Sequence, residues 1–140
     1  MKRLLPILLL SLFACDSGHI VDPPASLISG DWSLSLSVTG PGGTCSFSGA
    51  PISLHESGGS FSGTYGPTEI FCNGASQGQA SGKILNGVLS GTSVAWDLDE
   101  AADHQTGVLN GPAMSGSSVW SVTSGGTTVV LNGTWSASRK

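Results

Sequence analysis

A chain of 140 residues with 21 glycines and only 10% charged residues has room for one domain with one modest core. It has little means of building helices, because each interior glycine costs a helix about 1 kcal/mol. A formal net charge of −4 argues against partners made of phosphate, so nucleic acid and anionic lipid head groups are excluded as electrostatic targets.

In chain order, the first element is an export signal. Lys2 and Arg3 form a cationic start, and the apolar run from Leu4 to Phe13 is too short to span a bilayer, which takes about 20 residues. The stretch ends Leu12-Phe13-Ala14-Cys15, which resembles the lipobox of bacterial lipoproteins. The resemblance implies a signal peptide over 1–14, cleavage before Cys15 and a diacylglyceryl lipid on that cysteine; an ordinary export signal beside an incidental cysteine is the alternative. Cleavage there leaves Lys83, Arg139 and Lys140 against all nine acidic residues, a net charge of −6. Attachment to a membrane then rests on the lipid chains, for which two or more acyl groups suffice. Residues 15–26, with Pro23-Pro24, read as the lipidated cysteine and a semi-rigid tether. Asp16 after Cys15 resembles an inner-membrane retention signal of enteric bacteria, and both the inner and the outer membrane stay open.

With Cys15 lipidated, Cys45 and Cys72 remain as an even pair in an oxidising compartment, where a disulfide is expected. Closing their loop stabilises the domain by about 3 to 4 kcal/mol. Two thiols alone offer too few ligands for a metal.

The domain, 27–140, reads as nearly all strand. Trp32, Leu34, Leu36 and Val38 alternate with Ser33, Ser35 and Ser37, giving one buried and one wet face. Ile52 and Leu54 begin a second strand that turns at Ser57-Gly58-Gly59 into Phe61, Gly63 and Tyr65. The stretch from Gly66 to Ser76 reads as a long connection pinned by Cys72. A further hairpin is expected to turn at Asn86-Gly87, the strongest short turn signal in the chain, and to bury Val94, Trp96 and Leu98. Leu-Asn-Gly recurs at residues 85, 109 and 131, suggesting repeated hairpins, and the last hairpin turns at Gly125-Gly126. Eight such strands predict an all-β, closed, antiparallel up-and-down barrel, with a two-sheet sandwich as the alternative.

Gly30-Asp31-Trp32 entering the first strand, with Arg139 ending the last, resembles the signature of lipocalin-like and avidin-like barrels. That resemblance implies a barrel plug made by Gly30, Trp32 and Arg139, with the guanidinium packed across the indole. Gly59 to Gly66 and Thr92 to Leu98 also look like avidin-family strands. Leu34 and Pro67 stand where that family has polar biotin contacts, so biotin binding is not expected; the chain also lacks the lipocalins' second loop motif.

Few residues suggest chemistry. Gly74-Ala75-Ser76-Gln77-Gly78 matches a nucleophile elbow, but that motif works at a strand-to-helix turn of a parallel sheet. Neither His19 in the tether, His55 on a strand nor His104 in a loop has a partner at triad spacing. Asp97, Asp99, Glu100, Asp103 and His104 crowd one strand end, and Asp97, Asp99 and Asp103 are the candidate ligands for a hard cation such as calcium, although EF-hand spacing is absent. Asn132-Gly133-Thr134 fits a glycosylation sequon and is read as a turn. Trp96 and Trp135 are candidates to line an apolar pocket, with core filling as the alternative.

The expected function is that of a lipid-anchored, exported barrel of non-enzymatic binding type at the cell envelope, without a cofactor. Its partners are the membrane, through the anchor, and either a small apolar ligand in the barrel or an envelope protein, for instance a hydrolase held by an inhibitory loop. Nucleic acid is not among them.

Overall fold

The computed structural model describes residues 27–99 and 103–140. The expected signal peptide, the lipidated Cys15, the tether with His19, and Glu100 lie outside them.

Eight strands follow in chain order: β1 (Gly30–Gly40), β2 (Gly43–Ser57), β3 (Ser60–Cys72), β4 (Ala75–Ser90), β5 (Ser93–Leu98), β6 (Asp103–Asn110), β7 (Ala113–Ser124) and β8 (Thr127–Arg139). Each pairs antiparallel with its neighbour, and β8 returns to β1 with Trp32 opposite Arg139 and Leu36 opposite Trp135, closing the barrel. Closure removes both sheet edges. Six of the seven connections are two-residue turns, and each contains glycine, at 42, 58–59, 74, 91, 111 or 125–126. Such short loops dictate the up-and-down order.

Three local expectations are corrected. Asn86-Gly87 is no turn: it lies inside β4, and the chain turns at Gly91-Thr92. The pair forms a bulge between Leu85 and Val88 against β5, with Asn86 at φ 53°. A Cβ on Gly87 would collide with the carbonyl and ring of Phe61, so this glycine serves close approach to a core aromatic. Asn132-Gly133 also sits within a strand, β8, which leaves Gly111 as the single turn residue among the three Leu-Asn-Gly copies. Finally, the stretch from Gly66 to Ser76 is not a long loop: β3 and β4 run through it and turn at Asn73-Gly74.

The inward positions fill the bore. Trp32, Leu34, Leu36 and Val38 meet Phe47, Ile52, Leu54, Phe61, Ile84, Val94, Trp96, Leu98 and Trp135, all buried. Trp96 and Trp135 meet edge to face with ring centres 5.2 Å apart, a preferred geometry for an aromatic pair. Room for the Trp135 indole comes from its neighbours, since a Cβ on Gly107 would press against the ring; the indole N–H donates to the carbonyls of Thr106 and Ser117. At the barrel end holding Gly30, Trp32 is fully buried and its N–H donates to the Ile28 carbonyl at 2.9 Å. Arg139 lies 4.4 Å over that ring and donates to the carbonyls of Ser29 and Leu27 at 2.7 and 2.6 Å.

Candidate functional site

The bore offers little space for a guest. The gap among Leu54, Phe61, Val94, Trp96 and Met114 has no room for a water molecule. Trp96 and Trp135 are each 2% exposed and pack on each other. The bore is polar only toward the end opposite the Trp32 plug. There Trp96 Nε1, Gln105 Oε1, Ser118 Oγ and Trp120 Nε1 are buried and find no hydrogen-bond partner among the described residues. Trp96, Gln105 and Ser118 sit directly across from one another on β5, β6 and β7.

The acidic residues separate into distinct arrangements. Asp97, 5% exposed on the outer side of β5, accepts from Asn86 Nδ2 at 2.8 Å, and its other oxygen lies 2.6 Å from His104 Nδ1. The β4 bulge is what aims the Asn86 amide at that carboxylate. His104, expected in a loop, is on β6. Asp99 accepts from the Tyr65 hydroxyl at 2.6 Å and from the Lys83 main-chain N–H at 2.7 Å. Burial, then the hydrogen bond and charge of Asp99, push the Tyr65 phenol well above its ordinary range. Asp103 opens β6 opposite Trp120. Among the described residues, no group of three or more His, Cys, Asp or Glu side chains is placed to hold a metal ion. Asp97 and Asp99 are instead engaged in bonds that fix strand ends.

Open space lies on the outer wall. A shallow trough of about 640 Å³ crosses β8, β1, β2 and β3, within the roughly 300–1,000 Å³ range of small-ligand sites. Its cause is legible in the chain. The β2–β3 ladder pairs Cys45 with Cys72 and Ser46 with Phe71, then stops, and resumes in the same register at Ile52 and Tyr65. Continuing that register would set Pro51 opposite Gly66 and Pro67 opposite Ala50. Both prolines lack the N–H a ladder needs, so the two strands run side by side there as an unpaired seam. The Cys45–Cys72 disulfide staples the short paired segment beyond it.

Over the seam, strand alternation turns hydroxyls outward. Ser37 is opposite both Ser46 and Thr134, and Thr134 is opposite Ser117, giving a row of hydroxyl residues spaced by the strand separation of about 4.8 Å. On β3 the trough is walled by Glu69 and Phe71; Ser76 donates to Glu69 Oε1 at 2.6 Å, and Phe71 is 40% exposed. Ser76, the serine of the elbow-like motif, thus orients a carboxylate on a neighbouring strand. Thr68 also lines the trough, yet it is only 8% exposed, and its hydroxyl enters none of the side-chain hydrogen bonds of the described residues. Sequence reading missed this site because its one signal, a proline in each of two adjacent strands, becomes visible only once their register is known.

Compared with family models, curated proteins and solved structures, the chain finds no match.

Proposed function

We propose that this chain is an exported, lipid-anchored binding module of the cell envelope, without catalytic activity, that meets its partner on the outer wall of a filled barrel. The observation that carries this reading is the contrast between a bore packed with indoles and aliphatic side chains and an open trough on the wall. The Cys45–Cys72 disulfide supports a place outside the cytoplasm. The lipid anchor rests on the residues before Cys15 and on Cys15 itself. His104 bonds Asp97 and no serine or cysteine among the described residues, which favours binding over nucleophilic chemistry.

A second reading, a small guest inside the barrel, is favoured by the four unpartnered polar atoms of Trp96, Gln105, Ser118 and Trp120. Such a guest would be polar at that end, whereas Trp96 and Trp135 present mainly hydrocarbon to each other.

The anchor is tested by expressing the full chain and its Cys15→Ser variant in a bacterial host. The expected outcome is a membrane-bound protein heavier than the cleaved chain by its acyl groups, and a variant that lacks this mass and leaves the membrane fraction. A wild-type chain recovered without added lipid would contradict the anchor.

A further inference from the structure

We infer that the polar end of the bore is a site for ordered water, held by Trp96, Gln105, Ser118 and Trp120. The site lies in the interior and is separate from anything bound on the outer wall. Four buried atoms, Trp96 Nε1, Gln105 Oε1, Ser118 Oγ and Trp120 Nε1, have no hydrogen-bond partner among the described residues. Trp96, Gln105 and Ser118 are 2%, 0% and 1% exposed, so bulk solvent does not reach them, and buried polar groups are ordinarily satisfied by protein or by ordered water. Their placement brings them together. Trp96 is opposite Gln105 and Gln105 opposite Ser118; Trp120 is two residues beyond Ser118 on β7 and so turns to the same face.

The donor and acceptor set selects the occupant. An indole N–H only donates, an amide oxygen only accepts, and a hydroxyl does both. The Gln105 amide nitrogen donates to the Asp103 carbonyl at 3.4 Å, which leaves the amide oxygen as the acceptor of the set. The occupant must therefore accept from two indoles and donate to Gln105, while Ser118 serves in either sense. Water, with two protons and two lone pairs, meets that demand. An anion would sit against the Gln105 oxygen, and a cation against two N–H groups. The spacing agrees: a water bonded at about 2.9 Å to each of two groups, at a tetrahedral angle, joins atoms about 4.7 Å apart, close to the strand separation of about 4.8 Å.

The neighbouring packing limits the occupant to that size. The gap among Leu54, Phe61, Val94, Trp96 and Met114 is apolar and has no room for a water molecule, and apolar cavities stay dry. Hydration therefore stops at the polar end. Water there satisfies the four atoms without a larger guest and ties β5, β6 and β7 together at the barrel end opposite the Trp32 plug.

The four tryptophans of the chain supply the test and its controls. Trp32 and Trp135 donate their indole N–H to main-chain carbonyls, whereas Trp96 and Trp120 have no protein partner among the described residues. In the nitrogen-15-labelled full chain, held in deuterated detergent micelles, rotating-frame Overhauser contacts are recorded from each indole N–H to the water resonance. Their sign separates a close, long-lived water from proton exchange. Contacts are expected at Trp96 and Trp120 and not at Trp32 or Trp135. Gln105→Met, which keeps the side chain's length and removes its acceptor, should lose the Trp96 contact; Ser118→Ala, a smaller change, should weaken it if the first variant does not fold. Contacts absent at Trp96 and Trp120, equal at all four indoles, or unchanged in the folded variants overturn the inference and leave the outer-wall reading standing. Contacts from Trp96 or Trp120 to C–H protons foreign to the chain overturn it in favour of an interior guest, and overturn the filled barrel with it.

Discussion

Tyr65 is the sole tyrosine of the chain, so its ionisation can be read without interference. Its hydroxyl donates a hydrogen bond to the Asp99 carboxylate while its ring packs against the core. Burial and the neighbouring negative charge both disfavour the phenolate, which raises the folded pKa above the unfolded value of about 10. The contribution to stability is therefore complete below pH 10 and is lost as pH rises from there toward the folded value, because only the unfolded chain ionises freely in that window. Near-ultraviolet titration should find no tyrosinate until well above pH 10, and thermal stability should fall over the same range. Tyr65→Phe should flatten that fall while losing the bond to Asp99. An ordinary phenol titration centred at pH 10 in the folded protein would contradict the burial of this side chain. Trp32 shows the opposite case of legibility: its place beside Arg139 could be anticipated from two short motifs, whereas nothing around Tyr65 announced that Asp99 would reach it across three strands.

At the scale of elements, strand identity came easily from alternation and strand limits did not. Period-two patterning identifies β1 because Leu and Ser alternate without interruption, but it cannot say whether Asn-Gly turns the chain or bulges it. The competing factor is what faces the glycine: at Gly87 it is the Phe61 ring, and that contact exists only after β3 and β4 pair. The same holds for the seam, where Pro51 and Pro67 are far apart in sequence and become neighbours through register alone. Beyond the seam, β2 and β3 pair at Cys45–Cys72 and Ser46–Phe71, Asn73 adds hydrogen bonds to Thr44 and Gly42, and the disulfide is the covalent link in that short segment. The Cys45→Ser, Cys72→Ser double variant should lose about 3 to 4 kcal/mol in denaturant unfolding. Its amides at 43–47 and 70–72 should lose hydrogen-exchange protection before the rest of the sheet. Unchanged protection there would show that the seam does not depend on the staple.

For the whole molecule, the eight-strand count matters because it gives a bore just wide enough for side chains to fill. Here Trp96 and Trp135 occupy the centre, Trp32 and Arg139 close one end, and glycines at 87 and 107 make room for the aromatic rings. A solid barrel of this kind holds its outer wall rigid, and in this chain that wall carries hydroxyls rather than charges. The fold was legible because it depends on period and on local motifs; the trough was not, because it depends on which strands adjoin. The claim most in need of measurement is that binding belongs to the wall and not to the bore. Native mass spectrometry of the full chain, purified from bacterial cells that produce it and released gently from detergent, tests it directly. The account predicts the mass of the lipid-modified chain with no retained interior guest. A reproducible adduct of a few hundred daltons that survives release, and disappears in a Trp96→Phe variant that remains folded, would contradict it.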